Sequence, residues 1–208
     1  MGNPKLKTLY LIRHGETNPN KNQIIQGSGL DAPLNDTGRR QAFDFFQAYR
    51  HIPFDAIYTS ALIRTSQSVV RFIEMGIPHF PFADLNEISW GIKDGTQINK
   101  EEQLIYNQLL RDWQGGLLDR SFAKGESPNQ VARRLNRVIE FMFNEPSHQI
   151  ILMSIHGRAL RIMLCLLLKR PLSDMEQFLH SNLCLYILQF DGISWKIELS
   201  NDTTHFMD

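Results

Sequence analysis

The sequence predicts an α/β protein: a three-layer α/β/α sandwich around a mostly parallel central sheet. Two observations carry the prediction. Short apolar runs of strand length recur along the chain, and longer segments with apolar residues at helical spacing separate them. A third observation bears on function, since two of the predicted strands run directly into His-Gly.

Taken in order, "KTLYLI" at 7 to 12 is continuously apolar and rich in β-formers, as suits a strand buried on both faces. "DTGRRQAFDFFQAYRHI" then carries Ala42, Phe45, Phe46 and Tyr49 on one helical stripe. "AIYTS" (56 to 60) is a second strand, and the segment after it, with Arg64 one turn in, reads as a helix. The region 84 to 126 mixes Gly91, Gly95, Gly115, Gly116 and Gly125 with scattered helix signals, and is expected as an insertion or lid over one sheet edge. "SPNQVARRLNRVIEFMF" spaces Val131, Leu135, Val138, Ile139 and Met142 as a helix, with Ser127 as N-cap and Pro128 in the first turn. "QIILMSI" (149 to 155) and "LCLYILQF" (183 to 190) complete the strands, the latter either interior or an edge available for pairing with a second copy in a homodimer.

The length of 208 residues suits one domain over 1–208 with a single core. With 22 basic and 22 acidic residues the formal charge is zero, and no basic stretch interleaves with aromatics, so no nucleic acid partner is expected. Cys165 and Cys184 stand alone in apolar contexts, without the spacing of a metal site or redox motif, which favours a reducing cytoplasm. "LCLLLKRPL" is too short to cross a bilayer, the N-terminal residues form no cleavable leader pattern, and Leu6 breaks the myristoylation motif, so no membrane association is expected.

The chemistry concentrates at strand ends. "LYLIRHGETN" passes from apolar residues into Arg13, His14, Gly15 and Glu16. An imidazole nitrogen can attack phosphorus, a guanidinium fork can clamp two phosphoryl oxygens, and Gly15 lets backbone amides approach the same anion. The tripeptide alone fits a loop histidine beside a surface charge equally well. "ILMSIHGRALRI" repeats the pattern at His156 and Gly157, and parallel strands of one sheet would bring both histidines to one edge. Arg64 can reach that edge, although taken singly it reads as a solvated helix arginine. Glu87, between Leu85 and Ile88, is a candidate acid in a partly apolar setting, or else an ordinary loop glutamate.

With these residues in view, the chain resembles the histidine phosphatase superfamily, of phosphoglycerate-mutase-like fold, along nearly its whole length. The matching stretches are "LIRHGETNPN", "QGSGLDAPLNDTGRRQA", "IYTSALIRTSQS", "LNEISWGIKDG", "GES" and "SIHGRALR", in the family's order. The resemblance implies that His14 is the phosphorylated nucleophile, that Arg13, Arg64 and His156 hold the phosphoryl group with Asn20, and that Glu87 is the proton donor. Thr17 and Gln26 match positions that line the pocket. A small phosphorylated metabolite is the implied substrate, with no cofactor and no metal, because positioned cations can stabilise the transferring group. For His14 to attack, its other ring nitrogen is expected to donate to a backbone carbonyl.

Trp90-Gly91 stands where cofactor-dependent phosphoglycerate mutases usually carry Tyr-Gly, and the middle region is shorter than theirs. Together with "GES" at 125 to 127 this favours a phosphatase; a mutase is the alternative, and a catalytically inactive phospho-ligand-binding protein a third reading. Two departures from the family's pattern are Ala61, often proline, and Arg158, often a small residue. Arg158 either adds charge near the pocket or points to solvent.

Overall fold

The computed structural model describes residues 6–97 and 99–206. Six strands form one sheet in the order β3-β2-β4-β1-β5-β6. They are β1 (Lys7–Arg13), β2 (Ala56–Ser60), β3 (His79–Phe82), β4 (Ile150–Ile155), β5 (Leu185–Phe190) and β6 (Trp195–Asp202). The first four run parallel, with Leu11 opposite Met153 and Tyr58 also opposite Met153. Strands β5 and β6 are antiparallel additions. Because β5 lies between β1 and β6, it is interior, and the edges are β3 and β6.

Side-chain alternation builds the three layers. Leu9, Leu11, Ala56, Tyr58, Ile151 and Met153 face one side, where they join Val131, Leu135 and Val138 of α6 (Pro128–Asn144) and Leu160 and Met163 of α7 (Gly157–Leu167). Ile12, Ile57 and Leu152 face the other, with Phe45 of α2 (Asp36–Tyr49) and Phe72 of α4 (Val70–Glu74). Each central strand is therefore apolar on both faces, as its composition predicts. The remaining helices are α1 (Asn18–Lys21), α3 (Ile63–Ser68) and α5 (Lys100–Gln114). Among the described residues no helix is long and apolar enough to cross a membrane.

The N-terminus of α6 is the one its sequence predicts: Ser127 Oγ accepts from the Gln130 amide at 3.3 Å while Gln130 Oε1 accepts from the Ser127 amide at 2.8 Å. Two strands escaped the sequence reading. β3 is only HFPF, and Pro81 fits it as a sheet edge, where a missing amide donor is tolerated. β6 alternates polar and apolar residues, the pattern of an edge covered on one face.

Region 84–126 brings Glu87, Trp90 and Tyr106 against Arg13 and Gly157. It contains α5, capped by Asn99 Oδ1 on the Glu102 amide. Trp90 stacks on Trp113 with ring centroids 5.9 Å apart and meets Tyr106 at 5.3 Å. Gln26's loop joins it through Asp94, whose carboxylate accepts from the amides of Gly27 (2.8 Å) and Gly29 (3.1 Å).

Candidate active site

The parallel strands β1, β2 and β4 end together, and that common end gathers the charged residues. Main-chain pairing sets the depth: the His14 amide donates to the Ile155 carbonyl at 2.9 Å, so His14 and His156 emerge from adjacent strands at one level. Their ring centroids are 5.1 Å apart and both rings are buried.

The loop after β1 is clasped from three sides. The Gly15 amide donates to Ser68 Oγ (2.9 Å), the Glu16 amide to Gln41 Oε1 (2.9 Å), and Asn35 Nδ2 to Glu16 Oε1 (2.8 Å). Gly15 and Gly38 let the loop press against the start of α2: a Cβ on Gly15 would stand 2.8 Å from the Gly38 carbonyl oxygen, and one on Gly38 would be 2.1 Å from that of Glu16. Glu16 thus anchors the loop that presents His14.

His14 Nδ1 lies 2.7 Å from the Gly15 carbonyl oxygen. A carbonyl only accepts, so Nδ1 carries the proton and Nε2 keeps a free lone pair. Burial, then the positive charges of Arg64 and Arg13, hold the His14 pKa well below its ordinary value of 6.5, so the ring is neutral at neutral pH.

Arg64 from α3 is fully buried. It donates from Nη1 to the Leu30 carbonyl (2.8 Å), from Nη2 to that of Gly27 (3.3 Å) and from Nε to His156 Nδ1 (3.2 Å). Burial brings its pKa down to about 10, which leaves it charged at neutral pH. Since Arg64 can only donate, His156 Nδ1 is unprotonated and the ring's proton sits on Nε2, 2.8 Å from Ser60 Oγ. Ser60 Oγ also accepts from the Leu62 amide and meets Thr65 Oγ1, which passes its own proton to the Leu62 carbonyl (2.8 Å). Burial and the Arg64 charge depress the His156 pKa as they do that of His14.

Arg13 is held by His180, Nη1 to Nδ1 at 3.1 Å, while its buried Nε has no partner. Gln26 Nε2 is likewise buried and unpaired; its Oε1 accepts from Thr17 Oγ1 (2.8 Å) and Asn20 Nδ2 (3.4 Å), which fixes the amide's orientation. Buried donors left without an acceptor each cost about 1–3 kcal/mol, so two of them beside two histidines and two arginines describe a cavity shaped for an anion with several oxygens.

Glu87 enters the same cavity, but its setting differs from the partly apolar one its sequence neighbours suggest. Its Oε1 accepts from the amides of Ile88 (2.9 Å) and Ala159 (3.0 Å), and its Oε2 from that of Arg158 (3.1 Å). The carboxylate therefore caps the first turn of α7, beside His156. Ala61 helps aim it: the Ala61 amide donates to Asn86 Oδ1 at 3.0 Å, a bond that a proline at this position would lack.

All eight residues singled out from the sequence, Arg13, His14, Thr17, Asn20, Gln26, Arg64, Glu87 and His156, come together here. Several others were not anticipated. Asn182 Nδ2 joins the His14 carbonyl (3.0 Å) to Asn20 Oδ1 (3.2 Å). His180 supports Arg13, and packs so closely on Gly157 that a Cβ there would lie 2.9 Å from its ring. Burial and the charges of Arg13, Arg161 and Arg158 push the His180 pKa down to about 2. The only local signal for these two was a cluster of polar residues, "HSN", just before β5. Arg158, whose direction the sequence left open, points inward: its side chain is 5% exposed, its guanidinium lies 5.2 Å from the Trp113 ring, and it is paired with Glu176.

Among curated proteins, the chain is 28% identical over 206 residues to a Yersinia pestis protein named probable phosphoglycerate mutase GpmB, covering 95% of this chain and 94% of that one. The solved mycobacterial glucosyl-3-phosphoglycerate phosphatase superposes with a TM-score of 0.84 at 22% identity, covering 95% of this chain and all of that one. The alpha-ribazole phosphatase from Shigella flexneri superposes with a TM-score of 0.81 at 22% identity, over 94% of this chain and 96% of that one. The model of the histidine phosphatase superfamily (branch 1) matches residues 9–203, and the chain belongs to that superfamily.

Proposed function

We propose that the protein is a phosphomonoester hydrolase that acts on a small phosphorylated metabolite through a phosphohistidine at His14. The observation that carries the reading is the state of the His14 ring: neutral, protonated at Nδ1 through the Gly15 carbonyl, with Nε2 free beside Arg13, Arg64 and His156. A phosphohistidine mechanism is general to the superfamily. In the first step Nε2 attacks phosphorus, the P–O bond to the substrate alcohol breaks, and a protonated Glu87 gives its proton to the departing oxygen. In the second, Glu87 as carboxylate takes a proton from water, the resulting hydroxide oxygen bonds to phosphorus, and the N–P bond returns its electrons to His14. Arg13 and Arg64 offset the charge that spreads over the equatorial oxygens, so the reading calls for no metal. A cytoplasmic setting fits the two free, buried cysteines.

A second reading, cofactor-dependent phosphoglycerate mutase, is favoured by the names of curated relatives that align over nearly the whole chain. One experiment serves both. The purified protein is incubated with p-nitrophenyl phosphate, and separately with 3-phosphoglycerate with and without bisphosphoglycerate as primer, while inorganic phosphate, isomer ratio and acid-labile protein-bound phosphate are followed. Hydrolysis with an acid-labile phosphoprotein, both lost in His14→Ala, supports the phosphatase. Rapid primer-dependent formation of 2-phosphoglycerate with little phosphate release selects the mutase. Hydrolysis retained in His14→Ala removes His14 as nucleophile.

A further inference from the structure

A cleft of about 390 Å³ is lined by Arg13 and Glu87 of the phosphoryl site and by His180 and Gly157. In the proposed mechanism Glu87 gives its proton to the departing oxygen, so the substrate alcohol has to lie in this cleft. Of the two ring nitrogens of His180, the hold on Arg13 uses one.

We propose that His180 is a specificity-determining residue: its Nε2–H donates to an uncharged oxygen of the substrate alcohol, a hydroxyl near the ester, so that phosphates of polyols and sugars are preferred over those of simple alcohols. The inference rests on the phosphomonoesterase reading and narrows its substrate class. Arg13 Nη1 lies 3.1 Å from His180 Nδ1, and a guanidinium only donates, so Nδ1 is the acceptor and the ring's proton sits on Nε2. Nε2 has no acceptor among the described residues, yet unlike Arg13 Nε and Gln26 Nε2 it is not sealed from solvent, and the ring lines the cleft. The ring is held from two sides, by Arg13 and by Gly157, where a Cβ would lie 2.9 Å from Cε1 and 3.0 Å from Nε2. That contact sets the ring edge carrying Nε2 against the first residue of α7, next to the amides of Arg158 and Ala159 that hold Glu87. The ring is neutral, its pKa pushed down to about 2 by burial and the surrounding arginines, so it offers a dipole and not a charge. Two of the cleft's guanidiniums, Arg158 and Arg161, are bridged by the Glu176 carboxylate. What stands open beside Glu87 suits a hydroxyl, which can accept from Nε2 without bringing charge into a partly buried site.

The test uses pairs that differ in hydroxyls alone. Glycerol 3-phosphate and propyl phosphate are compared as substrates. 3,4-Dihydroxybutylphosphonate and butylphosphonate, which carry no ester bond to hydrolyse, are compared as ligands by calorimetry. A neutral hydrogen bond contributes about fivefold in affinity, so the hydroxylated member should lead by about that factor in kcat/KM and in Kd. Two variants divide the ring's tasks. His180→Asn can place Oδ1 where Nδ1 stands and still accept from Arg13, but has no donor at Nε2; its preference should fall to near unity. His180→Gln can place an N–H where Nε2 stands but leaves Arg13 without its acceptor; it should keep the preference while slowing both substrates. A ring that only tethers Arg13 would change the preference in neither variant. A wild-type preference of about threefold or more that His180→Asn erases and His180→Gln keeps supports the inference, and if one variant fails to fold the ratio in the other decides. If the phosphonates show this pattern while neither ester is hydrolysed, the phosphatase reading fails alone. A smaller wild-type preference, no binding of either phosphonate, or a preference that survives in His180→Asn or vanishes in His180→Gln overturns the inference, while hydrolysis that depends on His14 keeps the phosphatase reading.

Discussion

Three histidines of the site, His14 and His156 buried and His180 partly buried, make the fold acid-sensitive by an amount that can be worked out. His14, His156 and His180 all have folded pKa values depressed below the ordinary 6.5, in each case first by burial and then by neighbouring arginines. The unfolded chain therefore binds protons that the folded chain refuses. Stability from this source is fully present above the unfolded value and is lost as pH falls below it. One pH unit below, each such group contributes about 1.4 kcal/mol of loss, so the three together remove about 4 kcal/mol between about pH 7.5 and 5.5. That is a large share of the roughly 5–15 kcal/mol that separates folded from unfolded domains. The interval lies above the ordinary carboxylate range, so salt-bridged acids add little. The assay is urea unfolding in phosphate-free buffer at several pH values, since a bound anion would stabilise the fold through the same site. His180→Gln should reduce the loss by about 1.4 kcal/mol, because His180 titrates in the unfolded chain but not in the folded one. A change under about 1 kcal/mol across the interval, or greater stability at the acid end, would refute the assignment of these rings as neutral.

Two substitutions probe the chemistry. Glu87→Gln should slow hydrolysis of alkyl phosphates by about 10²–10⁴ and that of p-nitrophenyl phosphate much less, because p-nitrophenolate needs little protonation to leave; equal losses on both would reduce Glu87 to its role of capping α7. Arg64→Lys should lower kcat/KM by at least about tenfold and weaken inhibition by inorganic phosphate, since one ammonium cannot replace a fork that spans the Leu30 and Gly27 carbonyls and His156. Near-normal kinetics in that variant would mean the guanidinium serves only to tie the loop.

The parts of the fold legible in the sequence were those whose signals are local. β1, β2 and β4 read as strands because burial on both faces makes them uninterrupted apolar runs, and α6 announced itself with Ser127 and Pro128. β3 failed the same reading because four residues around Pro81 are too short a pattern, and α5 because its N-cap Asn99 follows a glycine-rich stretch that looked irregular. The site divides likewise. His14 and His156 stood out because each follows an apolar strand directly. His180 and Asn182 did not, because they reach the cavity by the antiparallel entry of β5, whose pairing with β1 a reader of parallel strands would not anticipate.

Arg13, His14, Gly15 and Glu16 follow from separate physical demands. Arg13 keeps a buried Nε without a partner for an incoming oxygen, and His14 spends one nitrogen on the Gly15 carbonyl so that the other stays free. Gly15 is there because any side chain would strike the backbone at Gly38. Glu16 accepts from Asn35 Nδ2 and ties the loop to the start of α2. Glu87, supplied from a distant loop and held by the first amides of α7, brings a carboxylate to the cavity beside Arg13. The first amides of the helix that begins at Gly157 hold the Glu87 carboxylate, the group to which the proposed mechanism gives the proton transfer. Substitutions along α7 should consequently change leaving-group preference before they change the attack by His14, which is anchored from β1 and α2.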